Sequence, residues 1–242
     1  VNTSAHKIHV SGIPVEVVRK NIKNLHLAVY PPTGRVRIAV PTRIDDEAVR
    51  LAVVSKLGWI RKRQAKFKAQ ERQSQREYVS GETHFVAGKR YRMRLVPHEG
   101  KAQVRLVNKA TVHLLVSPHC SREKREAVLM QWYRQRLKDE IPKIIARWEP
   151  VIGVTVSSFG VKKMRTKWGS CNISAKRIWL NTELAKKPAR CLEYLVVHEM
   201  VHLLERHHNT RFVALMDQFL PQWRNYRTEL NKYPLAHEDW EY

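Results

Sequence analysis

Two histidines four residues apart, His198 and His202, flank Glu199 in the run His198-Glu199-Met200-Val201-His202, and a third, His208, follows at the head of His208-Asn209-Thr210-Arg211-Phe212. On a helix turning about 100° per residue, the first two imidazoles stand ~40° apart and one turn of rise apart, close enough to chelate one ion. A metal held this way lowers the pKa of a bound water, and a carboxylate next to the first ligand is placed to take its proton. The chemistry expected is hydrolysis at a zinc ion with Glu199 as general base, although histidine donors also suit nickel, cobalt or iron.

A catalytic zinc needs a third protein ligand and an open position. If the helix continued, His208 would lie ~120° around the axis from His202 and ~9 Å along it, so the chain must bend, near Arg206, to bring it back. Asn209 can cap a new helix through Phe212, Leu215, Met216 and Phe219. His208 is the preferred ligand, with His207, Glu205, Glu229 and His237 as competitors. Glu205 occupies the place at which His-Glu-x-x-His-x-x-Gly-x-x-His peptidases have a glycine, so that class is not expected.

The metal helix opens at Pro188 and carries Leu192, Leu195, Val196, Met200 and Leu203 on an apolar side. Before it the pattern reads as a strand over Val151 to Phe159, a loop from Lys167 to Asn172, and a strand from Arg177 to Leu180. That segment is expected to border the cleft, with Arg165, Lys167, Trp168 and Asn181 as candidate substrate-binding residues; cationic donors there can hold an oxyanion or a phosphate. Ser121 opens a long helix that Pro142 is expected to kink.

The first half alternates apolar and polar residues, as in Ile13, Val15, Val17, then Leu25, Leu27, Val29, then Val36, Ile38, Val40, which predicts antiparallel strands. Further strands are expected at Thr83 to Val86, Arg90 to Val96, Gln103 to Val107 and Val112 to Val116. Between the two groups one helix is expected near residues 45–77, capped by Asp45 and strongly basic from Arg61 to Arg76. No internal repeat stands out. The predicted architecture is α+β: a β-rich N-terminal region over residues 1–117 and a catalytic α+β domain over 118–242, divided near Pro118.

Across 242 residues, 45 Lys and Arg oppose 22 Asp and Glu, a formal charge of +23. Such a field attracts polyanions, so a nucleic acid on the basic surface is an expected partner besides the substrate. Three cysteines in no Cys-x-x-Cys spacing argue against a disulfide framework and for a reducing compartment. With no apolar leader in Val1 to Val10 and no run approaching a membrane span, the expectation is a cytoplasmic protein with no membrane contact.

The motifs Met164-Arg165-Thr166-Lys167-Trp168-Gly169-Ser170-Cys171, Ile178-Trp179-Leu180-Asn181, Tyr194-Leu195-Val196-Val197-His198-Glu199 and His208-Asn209 with Phe212 resemble, in order, those of the YgjP-like family of metal-dependent hydrolases. That family is related to the SprT-like and Spartan-type zinc peptidases. The resemblance extends to Gly58-Trp59-Ile60, Gly81-Glu82, Gly88-Lys89-Arg90-Tyr91 and Trp132-Tyr133. It implies a zincin-like domain with His198, His202 and His208 on zinc and Glu199 as base. It implies three substrates for one metal centre: a peptide or protein, a nucleoside triphosphate such as UTP cleaved as a pyrophosphatase does, or a protein cleaved in a DNA-dependent way.

Overall fold

The computed structural model describes residues 5–30, 33–69, 76–164 and 167–232. They form two compact units divided near residue 75, about forty residues before the boundary expected near Pro118. The sheet that follows the division shares one apolar core with the long helix and the metal helix, from Tyr78 and Val86 through Leu129 and Leu180 to Val197 and Met216. Composition changes near Pro118 because strands give way to a helix, but packing does not.

The first unit holds β1 (Ala5–Val10), β2 (Ile13–Lys20), β3 (His26–Tyr30) and β4 (Arg35–Pro41) in the order β1-β2-β4-β3. The outer pairs are antiparallel and the central pair β2–β4 is parallel. The buried side chains Val15, Val17, Val36, Ile38 and Val40 recur every second residue, as one covered sheet face requires. Instead of the single helix expected, two follow: α1 (Asp46–Val54), capped by the Asp45 carboxylate on the Ala48 N–H, and α2 (Leu57–Ala69). Ser55 ends α1 by turning its hydroxyl onto the Ala52 carbonyl at 2.8 Å.

In the second unit β5 (Thr83–Val86), β6 (Lys89–Pro97), β7 (Gln103–Leu106) and β8 (Thr111–Val116) form a sheet of order β5-β6-β8-β7, again antiparallel, parallel, antiparallel. The repeat that the sequence conceals is therefore explicit in the fold. Gly12 and Gly88 close the first hairpins at φ +78° and +81°, after Ser11 and Ala87 at φ +51° and +48°. Both turns need two left-handed residues in succession, which a glycine supplies cheaply. Asp45 and Ser121 cap the helices that follow. Both pairs have one spacing, 88 − 12 = 121 − 45 = 76. At that spacing buried meets buried: Ile8 with His84, Val10 with Val86, Val17 with Met93, Val36 with Val112, Ile38 with Leu114, Val53 with Leu129. Few identities survive, because a core position asks only for bulk on the covered face.

After the second sheet, α3 (Arg122–Ile152) runs 31 residues with Pro142 and Pro150 inside it. Pro142 does not end the helix, since the buried Ile141, Ile144 and Ile145 hold it from both sides. Val151 and Ile152, expected in a strand, belong to this helix, and the strand itself, β9 (Ser158–Lys162), begins six residues later. β10 (Gly169–Asn172), expected as loop, pairs antiparallel with β11 (Arg177–Asn181), which runs parallel to β9. The order β10-β11-β9 leaves β10 at a sheet edge among the described residues. A short 3₁₀ helix (Thr182–Lys186) leads to α4 (Ala189–Val201), followed by α5 (Thr210–Phe219) and α6 (Trp223–Lys232). No described helix is long and apolar enough to cross a membrane.

Candidate metal centre

α4 is buried on nearly every side, by Cys191, Leu192, Tyr194 to Val197 and Glu199 to Val201, rather than along one stripe. A helix apolar all round is a central one, and this one crosses the core of its unit. Its start is fixed by the β5–β6 hairpin: the Ala87 and Gly88 amides donate to the Ala185 and Lys186 carbonyls at 2.9 and 3.1 Å. A Cβ at Gly88 would stand 2.7 Å from the Pro188 ring.

The helix stops at Val201, five residues before the bend expected near Arg206. Leu203 and Leu204 bond to the carbonyls three residues back, a tightening that turns the chain away from the axis. The Asn209 side chain then accepts from the Phe212 N–H at 3.0 Å and starts α5. Between these ends His208 swings back toward α4, and one ring nitrogen from each of His198, His202 and His208 lies within 4.8 Å of the others. Of the competing ligands, Glu229 is paired with Arg190, Glu205 caps the His207 N–H, and His237 lies outside the described residues.

The Nε2 atoms of His198 and His208 face each other at 3.0 Å. Two neutral ring nitrogens so placed need a proton or a cation between them, and a tetrahedral ion with bonds of ~2.0–2.1 Å would hold its ligands at nearly this separation. His202 donates Nδ1–H to the Glu205 carbonyl at 3.0 Å, which leaves the Nε2 lone pair available to an ion. Glu205 therefore serves the site through its backbone. Phe212 supports the tripod, its ring 4.9, 4.7 and 4.8 Å from those of His198, His202 and His208. Burial drives the His198 pKa down to about 3, with the charges of His202, His208 and Arg227 adding to it. Burial is also the first cause lowering His202 and His208. All three offer free lone pairs at neutral pH, so the donor set fits a divalent ion.

Glu199 is only 4% exposed, and burial raises its pKa to about 8 against the opposing pull of Lys167. Its carboxylate lies against the edge strand: a Cβ on Gly169 would stand 2.5 Å from Glu199 Oε1. Only glycine lets the β10 backbone approach this closely. The neighbouring Cys171 thiol is pushed up to about 11 by burial and by Glu199, so it stays protonated and unreactive.

The other candidate residues take varied places. Asn181 is buried and occupied with the loop before β10, its amide donating to the Met164 and Lys167 carbonyls at 2.8 and 2.9 Å and its oxygen accepting from the Glu183 N–H. Its side chain therefore fixes the loop that leads into β10. Trp168 is half-buried against the core, with the Lys187 ammonium 5.5 Å from its ring. Lys167 is exposed, and its charge reaches Glu199. Arg165 lies outside the described residues.

Sequence reasoning missed Gly169, Tyr194, Trp223 and Arg227. Tyr194 sets its ring edge-on to His198 at 5.7 Å and stacks on Trp223 at 6.4 Å, while Arg227 lies 6.0 Å from the Trp223 ring. The i, i+4 spacing of Tyr194 and His198 was a usable signal; nothing local marks Arg227.

Among curated proteins none matches this chain. Two solved structures are similar over a part of it. The metallopeptidase zymogen jannalysin of Methanocaldococcus jannaschii is 18% identical, with TM-score 0.34, over 37% of this chain and 92% of its own. The zymogen abylysin of Pyrococcus abyssi is 12% identical, with TM-score 0.35, over 39% and 99%. Residues 23–233 match the YgjP-like metallopeptidase domain, a span that holds the three histidines, Glu199 and both sheets of the second unit, and the chain belongs to the YgjP-like family of metallopeptidases.

Proposed function

We propose that the chain is a zinc-dependent peptidase with His198, His202 and His208 as the metal ligands and Glu199 as general base. The observation that carries this reading is the neutral imidazole tripod beside a buried carboxyl whose pKa is raised to about 8. When bound, zinc acidifies a water and polarises the scissile carbonyl. Glu199 takes a proton from the attacking water as its oxygen bonds to the carbonyl carbon. It returns that proton to the amine as the C–N bond breaks, a double duty suited to a pKa near the working pH. The open edge of β10 supports a peptide as substrate, because an extended segment can add to it as a further strand beside Glu199. The free thiols of Cys120, Cys171 and Cys191 suit a reducing cytoplasm.

Metal analysis of the purified chain should find about one zinc per molecule, and the chain should cleave an unstructured protein such as casein. Glu199→Gln should keep the metal and lose the cleavage; full activity in that variant would overturn the assignment. Nickel, cobalt or iron in place of zinc would change the cofactor and leave the residue roles intact.

A second reading, hydrolysis of a nucleoside triphosphate such as UTP to the monophosphate and pyrophosphate, draws support from two cations whose charges reach the site, Lys167 at Glu199 and Arg227 at His198 and His208. Phosphate oxygens are their natural partners. Pyrophosphate release from UTP without proteolysis would make this the function.

A further inference from the structure

The first unit repeats the plan of the second, so the second shows what the plan requires for folding. On the matched strands the first unit carries Lys7 and Arg35 where the second has Thr83 and Thr111. Continuing the same spacing into the helices sets Arg61 and Lys68 of α2 against Leu137 and Ile144 of α3. Leu137 and Ile144 are buried, whereas Arg61 and Lys68 are exposed. The fold therefore does not demand charge at these four places. Helix electrostatics explains Lys68, near the C-terminal end of α2, but not the other three.

These residues converge on one feature. Lys7, Arg35, Arg61 and Lys68 line a groove of about 660 Å³ between α2 and the strands β1, β2 and β4, with Glu16 as the one carboxylate among its described lining residues. Glu16 faces Arg35 at 3.8 Å and Arg37 at 3.6 Å, so its charge is already matched. Gln64 donates to the Gly34 carbonyl at 2.9 Å and ties α2 to the β3–β4 turn. Arg61 and Lys68 are separated by about 10 Å along α2, at ~1.5 Å of rise per residue, a spacing that meets charges repeated along a chain better than a single anion. Guanidinium forks suit phosphate oxygens. The cations continue beyond the groove as Lys62 and Arg63, and residues 1–74 carry 15 Lys and Arg against 5 Asp and Glu, 15 − 5 = +10. A ligand charged along its whole length gains from cations beyond the groove as well, whereas a short acidic peptide gains only from the groove.

We infer that the groove between α2 and the first sheet binds the sugar-phosphate backbone of a nucleic acid. This site lies within the first unit and is independent of the peptidase reading.

The test is fluorescence anisotropy of the full chain with labelled single-stranded DNA, single-stranded RNA and duplex DNA of about twenty nucleotides, over a range of salt. A Lys7→Gln, Arg61→Gln, Lys68→Gln triple variant is compared with a control of equal charge change, Lys109→Gln, Lys124→Gln, Lys138→Gln, at exposed positions of the second unit. The groove variant should bind at least tenfold more weakly, and its slope of log affinity on log salt should shrink by about 2, three contacts at ~0.7 each on a single strand. The control should stay within about twofold. Lys68→Gln alone, with an unchanged melting temperature, should show a smaller loss in the same direction. Equal weakening by both triples, an unaffected groove variant, or no binding at about 50 mM salt would overturn the inference. So would displacement of the oligonucleotide by polyglutamate at equal charge concentration, which would assign the groove to an acidic protein.

Discussion

Replacing Glu199 with glutamine should stabilise the metal-free protein, and increasingly so as pH rises. The folded-state pKa of Glu199 is raised to about 8 from an ordinary 4.5, so folding takes up a proton throughout the interval between them. Each pH unit in that interval removes ~1.4 kcal/mol of stability, since the unfolded carboxylate ionises freely and the buried one does not. The loss begins near pH 4.5 and is complete above pH 8, with a ceiling of ~5 kcal/mol. Glutamine has the shape of the protonated acid and no titration, so the variant escapes this loss. His198 acts with the opposite sign: its folded pKa of about 3 lies below the ordinary 6.5, so its contribution is lost as pH falls from 6.5 toward 3. That limb is common to both proteins and cancels in the comparison. Urea unfolding in the presence of a chelator, from about pH 5 to 9, should show the two curves diverging by roughly 4 kcal/mol between pH 5 and 8. Adding zinc should shrink the gap, because a nearby dication favours the ionised carboxylate. Parallel curves across the whole range would refute the claim that burial holds this carboxyl protonated.

Gly169→Ala should lower kcat by about tenfold to a hundredfold with metal content unchanged, because the new methyl would displace the Glu199 carboxylate; wild-type kcat in the variant would deny the close approach. His208→Ala should weaken zinc binding by at least a hundredfold in chelator competition, whereas His207→Ala should leave it within about threefold. Asn209→Ala removes the cap of α5 and should cost ~1 kcal/mol. It should also weaken zinc binding, since that cap sets the turn carrying His208, and a melting-temperature loss without any metal effect would separate the two. Asn181→Ala frees three hydrogen bonds of a buried amide and should cost about 1–3 kcal/mol in chemical denaturation.

The parts of the molecule set by short-range spacing were legible in advance. The i, i+4 histidines, the Asn209 cap and the alternation of Val36, Ile38 and Val40 each carry their geometry locally, and the return of His208 follows from the cap. What failed depends on partners distant in sequence. Gly169 to Asn172 has no apolar alternation and becomes a strand only because β11 lies beside it. Asn181 ends the strand before the metal helix, and its amide is taken up by carbonyls 14 and 17 residues away, partners that no local pattern announces. Val151 and Ile152 are apolar enough for a strand, yet they close α3, which continues past Pro142. The duplication escaped notice because the buried positions kept their spacing and changed their residue types.

The two hydrogen bonds from the β5–β6 hairpin to the root of α4 make that turn a reporter on the metal helix. The Ala87 and Gly88 amides point into carbonyls of the segment that launches α4, so their exchange with solvent deuterium requires the helix root to lift from the hairpin. Their protection from exchange then measures how firmly the metal helix is seated, at a turn outside the three-histidine cluster.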